Sequence, residues 1–410
     1  MQELCCRRQN RRIMYDMSIF TRQIYNSLMK DLNVLLQRRK NEHRYRQRDV
    51  VQSAQGAEIV VDGKTFINFS SNDYLGLAND PAIVEALTTS AKYYGVGSGA
   101  AHLITGHSSV HHDLEQALAE HVGRSRALLF STGYMANIGV ITALCGRDDM
   151  VIEDRLNHAS LIDGGLYSGA NFKRYAHSDM DTLQRMLQSE VSGNRLVVTD
   201  GVFSMDGDIA RLNEIMALAN KYDADVLVDD AHGIGVLGQS GGGICETLFL
   251  QEDDKPILMA TLGKAFGVFG AFVAGSEQLI EWLIQQSRTY VYTTSMPSAL
   301  AAASLVSLKI IQTQPQRREK LQDLITLFQQ GATRLGLNLL PSQTAIQALI
   351  IGDEARALNV SESLRSNGLM VKAIRPPTVP YGSSRLRITL SAAHEKHHVD
   401  KLLNALERSL

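Results

Sequence analysis

Short, nearly continuous apolar runs recur along the middle of the chain, at 127–130, 150–152, 196–199, 226–228, 257–260 and 271–274. Between them lie segments with apolar residues at helical spacing, such as 213–221. An apolar run without polar alternation reads as a strand buried on both faces. Such strands separated by helices predict a mostly parallel sheet with helices on both faces. From about residue 300 the texture changes. Helices at 298–311 and 318–335 lead into short strands at 348–351, 370–373 and 385–390, then a helix near 394–410, a smaller α+β pattern. Upstream, residues 18–46 read as a helix with apolar positions Ile19, Ile24, Leu28, Leu32, Leu35 and Leu36. The expected organisation is a disordered leader at 1–17, an N-terminal helix and small strands at 18–75, a large α/β domain at 76–300 and a small C-terminal α+β domain at 301–410.

Composition narrows the class. The 410 residues are 44% hydrophobic and 20% charged, an ordinary globular balance that excludes disorder, collagen and coiled coil. A net charge of -2 gives no global field to attract nucleic acid or an anionic membrane. No apolar run is long enough to cross a bilayer. Four cysteines (Cys5, Cys6, Cys145, Cys245) are too few for a disulfide framework and point to a reducing, cytoplasmic setting. No metal ligand set is expected. His394–His398 matches HExxH formally, but it opens a helix with apolar face Val399, Leu402, Leu403 and Leu406 and reads as a solvated helix start. His111 and His112 open another amphipathic helix and read as surface or packing. Gly95–Ala100 matches a dinucleotide fingerprint only in its letters, because no strand precedes it.

In a parallel sheet, ligands bind beyond the carboxyl ends of the strands, so the residues after each apolar run carry the chemistry. After 127–130 comes Gly133, where a helix start exposes N–H groups to a phosphate. After 196–199 comes Asp200, followed by Gly201–Asp208, and after 226–228 come Asp229, Asp230 and His232. The two acids and the histidine after 226–228 are costly to bury without a partner, and a cationic cofactor ring is one. After 257–260 comes Lys264 among small and apolar residues, where desolvation lowers an amine's pKa and makes it a nucleophile. An acid at 229, a lysine at 264 and a phosphate-binding helix start at 133 together fit pyridoxal 5'-phosphate (PLP). The residues alone leave open which reaction class such an enzyme serves, or whether the chain is a scaffold on an enzyme fold.

The chain resembles the α-oxoamine synthases, PLP enzymes of fold type I, over about residues 20–408. The likeness is carried by Asn68–Leu77, Gly95–Gly99, Leu156–Leu161, Gly201–Gly207, Val228–Gly233, Thr261–Lys264, Thr294–Pro297, Ile374–Pro380 and Arg385–Arg387. The resemblance implies that Lys264 forms the Schiff base and removes the Cα proton, Asp229 pairs with the pyridine nitrogen, and His158 lies over the ring. It implies His232 and Ser204 at the ring hydroxyl, and Gly133, Tyr134 and Thr261 at the phosphate, with Thr294 reaching the phosphate of a second subunit in a homodimer. Tyr134 stands where phenylalanine is frequent. Asn72 and Arg387 would hold the amino-acid carboxylate, and Thr378 would line the acyl path. Arg46 and Arg48 are two candidates for an arginine that meets the acyl group. Ser295–Pro297 and Arg375–Pro380 resemble the branch of biotin biosynthesis that condenses L-alanine with a pimeloyl thioester, of CoA or of an acyl carrier protein. The alternative is a glycine-using branch, such as a glycine C-acetyltransferase.

Overall fold

The structure is a computed structural model that describes residues 32–248, 250 and 256–410. The leader expected at 1–17 and the first part of the helix expected over 18–46 lie outside these residues. The described part of that helix is Leu32–Asn41, exposed along its length, so Leu32, Leu35 and Leu36 do not form the buried face their spacing suggested. It stops at Asn41 rather than 46 because His43 takes a left-handed backbone (φ 54) and Arg44 N–H closes the turn onto Arg39 C=O.

Strands β1 (Glu58–Val61) and β2 (Lys64–Asn68) form a hairpin through Asp62-Gly63, both with positive φ, the geometry that matches strand twist in a two-residue turn. The central sheet follows: β3 (Arg126–Phe130), β4 (Met150–Asp154), β5 (Asn171–Tyr175), β6 (Arg195–Asp200), β7 (Asp225–Asp229), β8 (Ile257–Thr261) and β9 (Ala271–Gly275). Among the described residues it has seven strands in the order β3-β9-β8-β7-β6-β4-β5, parallel except for β9, which runs against both neighbours. The α/β fold class read from the sequence is the one observed.

The apolar runs are continuous because the sheet is buried on both faces. Alternate residues enter different core clusters: Val226 and Val228 of β7 pack in one, Leu227 in the other, and β3, β4, β6, β8 and β9 repeat the pattern. Strand β5 was not foreseen. It lies at the sheet edge, and its sequence Asn-Phe-Lys-Arg-Tyr lacks a continuous apolar run.

Among the described residues, two smaller sheets complete the fold. Strands β10 (Ile346–Gly352), β11 (Leu369–Met370), β12 (Lys372–Ile374) and β13 (Ser384–Thr389) replace the three expected there. The single strand expected at 370–373 is two strands in different sheets. β11 pairs with β2, and after Val371 the chain crosses to pair β12 with β13.

The expectation of a solvated helix start at 394–398 is overturned. His394 is wholly buried, stacked on Phe69 at 4.4 Å, and its Nε2 bonds Asn68 C=O at 3.0 Å. His398 Nδ1 accepts from Glu395 N–H, capping the helix Lys396–Ser409. Both rings are spent on structure. No helix among the described residues is long and apolar enough to cross a membrane.

Candidate active site

Register places the polar strand ends side by side: Asp200 opposite Asp229, and Asp229 opposite Met259. Thr261 ends β8, and the loop beyond it carries Lys264. Two adjoining cavities of about 330 Å³ and about 180 Å³ open here, sharing His158, His232 and Lys264 in their walls.

The smaller cavity is lined by Gly133, Tyr134, Asn137, Asp200, Asp229 and Thr261, among others. Asp229 Oδ2 accepts from Asn137 Nδ2 at 2.7 Å, and its Oδ1 from Ala231 N–H at 2.9 Å. Among the described residues no lysine or arginine lies within ion-pair distance of this buried carboxylate. Asn137 also donates to Ser160 Oγ at 2.8 Å, which lies 2.7 Å from His158 Nδ1. Ser160 N–H points at the same nitrogen, so Nδ1 is the acceptor and Nε2 carries the ring proton. Burial lowers the pKa of His158 against the opposing pull of Asp229, which favours this neutral form. His158 N–H donates to Asp200 Oδ2 at 2.8 Å, tying the β6 end to the start of the helix Ala159–Ser168. Burial, reinforced by Asp229, pushes the Asp200 carboxyl well above its usual range.

The helix Gly133–Leu144 starts in the wall, its first turn capped by Thr132 Oγ1, which accepts from Met135 N–H. Tyr134 is 43% exposed and its hydroxyl bonds Asp163. Thr261 Oγ1 donates to Gly270 C=O at 2.9 Å.

The larger cavity holds the other half of the expected set. Lys264 Nζ lies 2.8 Å from His232 Nε2, and His232 Nδ1 lies 2.5 Å from Tyr74 Oη. The Tyr74 hydroxyl donates to Asn72 Oδ1 at 3.2 Å, which also accepts from Arg387 Nη2 at 3.1 Å. An unbroken line of hydrogen bonds thus joins the amine to a guanidinium. Arg387 is further fixed by Ser204 C=O (2.6 Å) and Thr389 Oγ1 (2.9 Å), while Arg385 pairs with Asp206 beside Ser204. Burial lowers the pKa of Lys264 to about 8, outweighing the attraction of Asp229 and Asp200. Burial, with Lys264 beside it, also pushes the pKa of His232 well down, so the ring is neutral.

Of the expected residues, Lys264, Asp229, His158, His232, Ser204, Asn72, Arg387, Gly133, Tyr134 and Thr261 line these two cavities. Thr294 lies outside both, exposed, with its C=O bonded by Ser131 Oγ. Thr378 and Arg46 line a separate cavity of about 140 Å³, which shares Ile374 with the wall of the larger site cavity. Arg46 and Arg48 both line a basic groove of about 830 Å³ that shares Lys372 with it. Sequence reasoning gave no role to Asn137, Asp200 or Tyr74. The signal available was a lone asparagine in an otherwise apolar helix turn, an acid at a strand end, and a tyrosine within Asn68–Leu77.

The residues fit PLP. A buried carboxylate that already takes two N–H bonds suits a protonated ring nitrogen, a desolvated amine suits an aldehyde, and a capped helix start suits a phosphate. Fold and site together define a PLP-dependent enzyme of the aminotransferase type, and the family model described as aminotransferase class I and II matches residues 64–406. The 8-amino-7-oxononanoate synthase of Pseudomonas savastanoi pv. phaseolicola is 57% identical over 92% of this chain and 95% of its own length. Among solved structures, serine palmitoyltransferase from S. paucimobilis with a bound PLP-myriocin aldimine superposes with TM-score 0.88 at 30% identity, covering 93% of this chain and 97% of that one. The 8-amino-7-oxononanoate synthase of Francisella tularensis gives TM-score 0.74 at 29% identity, over 84% and 97%. The chain belongs to the 8-amino-7-oxononanoate synthases. It is an enzyme, a PLP-dependent transferase.

Proposed function

We propose that the chain condenses L-alanine with a pimeloyl thioester and releases 8-amino-7-oxononanoate, CO2 and free thiol, as a cytoplasmic homodimer in biotin biosynthesis. The observation that carries this reading is the hydrogen-bonded line from Lys264 through His232 and Tyr74 to Asn72 and Arg387, because it sets a nucleophilic amine and a carboxylate-binding fork at the two ends of one cavity.

Asp229, Lys264 and the start of the helix Gly133–Leu144 would hold PLP, with Thr261, Ser204 and His232 beside it and Thr294 serving the second subunit. When bound, PLP accepts the electron pair released at the amino acid's Cα. Arg387 and Asn72 hold the alanine carboxylate and so set which Cα bond faces Lys264. Lys264 Nζ, whose pKa burial lowers to about 8, takes the Cα proton and later returns one. His232 orients that amine and is itself held by Tyr74. His158 presents its Nε2–H to the carbonyl oxygen of the incoming thioester, while its Nδ1 stays locked on Ser160. Asp200 positions His158 through its main-chain N–H. Thr378 and Arg46 or Arg48 accompany the acyl chain along the openings that border the site cavity.

The reading is tested with carboxyl-labelled L-alanine, pimeloyl-CoA and PLP-loaded protein. One labelled CO2 per thiol released, with the product mass of 8-amino-7-oxononanoate, is expected. Thiol release with the label retained in the product contradicts it.

A further inference from the structure

The short turn His102–Gly106 brings His107 back over the first turns of the helix Ser109–His121. On that helix His112 and Glu115 are three residues apart and so share a face. His107 Nε2 lies 4.0 Å from Glu115 Oε2, and ligand atoms of His107, His112 and Glu115 all fall within 4.8 Å of one another.

The neighbouring groups are already committed to holding this trio. His111 is not available as a ligand: its Nδ1 accepts from Ser108 N–H at 3.0 Å, and its Nε2 bonds Met296 C=O at 2.6 Å. His107 Nδ1 lies 2.9 Å from His102 Nδ1, and the His102 ring is buried and stacked on Tyr290 at 5.0 Å. That contact fixes the His107 ring and turns its Nε2 toward Glu115. Glu115 Oε1 accepts from Leu129 N–H at 2.9 Å, which anchors the carboxylate to β3 and leaves Oε2 facing His107. Each of these two ligands is therefore oriented by a second bond, the arrangement that metal-binding histidines and carboxylates use.

We propose that His107, His112 and Glu115 form a binding site for one divalent cation of the zinc class, separate from the cavities lined by Lys264. Two imidazoles and one carboxylate suit Zn2+, Ni2+ or Co2+ better than the all-oxygen sites of Mg2+ or Ca2+. Three ligands leave one position open to water. Ligand atoms around a zinc ion stand about 3.3 Å apart, set by metal–ligand distances of about 2.0 Å. Closing from the present spacing requires His107 Nε2 and Glu115 Oε2, 4.0 Å apart, to draw together and the exposed His112 side chain to turn toward them.

The test is calorimetric titration of chelator-washed, PLP-loaded protein with Zn2+ alone. One ion per chain with micromolar or tighter Kd is expected. His112→Ala and Glu115→Gln each weaken it more than about a hundredfold, beyond what changes to second-layer groups cause. The visible band of lysine-bound cofactor stays unchanged in both variants, which shows that they fold and load. Absence of saturable uptake, or uptake undiminished in both variants, overturns the site. Neither outcome depends on which acyl acceptor or donor the enzyme uses.

Discussion

Apoenzyme reacting with PLP reports directly on the amine that burial creates. Desolvation holds Lys264 at a pKa of about 8, where an ordinary lysine stands at 10.5. At pH 7 an amine of pKa near 8 is about one-tenth unprotonated, against about one part in three thousand for an ordinary one. The buried residue therefore presents roughly 300 times more nucleophile. The assay is stopped-flow growth of the visible imine band as PLP is mixed with apoenzyme across a pH series. The second-order rate should climb about tenfold per unit below pH 8 and level off above it. A rate that keeps climbing past pH 10 refutes the reasoning, because Lys264 would then titrate like a solvated lysine. The same shift sets the sign of a stability effect. Between pH 8 and 10.5 the unfolded chain still holds the lysine proton that the folded chain has lost, so apoenzyme gains stability as pH rises through that window. The slope is at most about 1.4 kcal/mol per pH unit, read from urea midpoints.

Three substitutions probe the rest of the site. Asp229→Asn removes the charge meant for the ring nitrogen and sets an amide against Asn137. Loss of one partner of a buried pair costs about 3–5 kcal/mol, so kcat should fall about a hundredfold to several thousandfold with little change in the alanine KM; a fall under tenfold contradicts the assignment. Asp200→Asn keeps an acceptor for His158 N–H and should cost under about 1 kcal/mol, whereas Asp200→Leu leaves that donor unpaired at about 1–3 kcal/mol. Equal urea midpoints for the two variants contradict the positioning role. Arg387→Lys keeps the charge but loses the fork and its anchors at Ser204 and Thr389, so the alanine KM should rise tenfold or more while the cofactor band is retained. An unchanged KM places the carboxylate elsewhere.

Much of this architecture is legible in the sequence because of how the sheet is buried. A strand covered on both faces has no polar alternation, so β3, β4, β6, β7, β8 and β9 stand out as apolar runs, and the polar last residues of β6, β7 and β8 mark the site. Edge strand β5 has no such signature. The switch at Val371 is hidden as well, since one short apolar stretch serves two sheets. Lys264 and Asp229 are readable because a charge directly after a buried strand demands a reason. Asn137 and Tyr74 are themselves uncharged and act through hydrogen bonds, which leave no imbalance in the sequence to notice. Their roles emerge only when the fold brings residues 72, 74, 232, 264 and 387 into one line. Thr294 is exposed in the single chain, and its expected task belongs to an assembly of two.

The central claim is the choice of substrates, and thiol release by the PLP-loaded enzyme tests it most directly. L-Alanine with pimeloyl-CoA is run beside glycine with acetyl-CoA and glycine with succinyl-CoA. Release confined to the first pair is the predicted result. Release confined to the glycine pairs contradicts the account and turns the roles of Thr378 and the two N-terminal arginines toward a different acyl group.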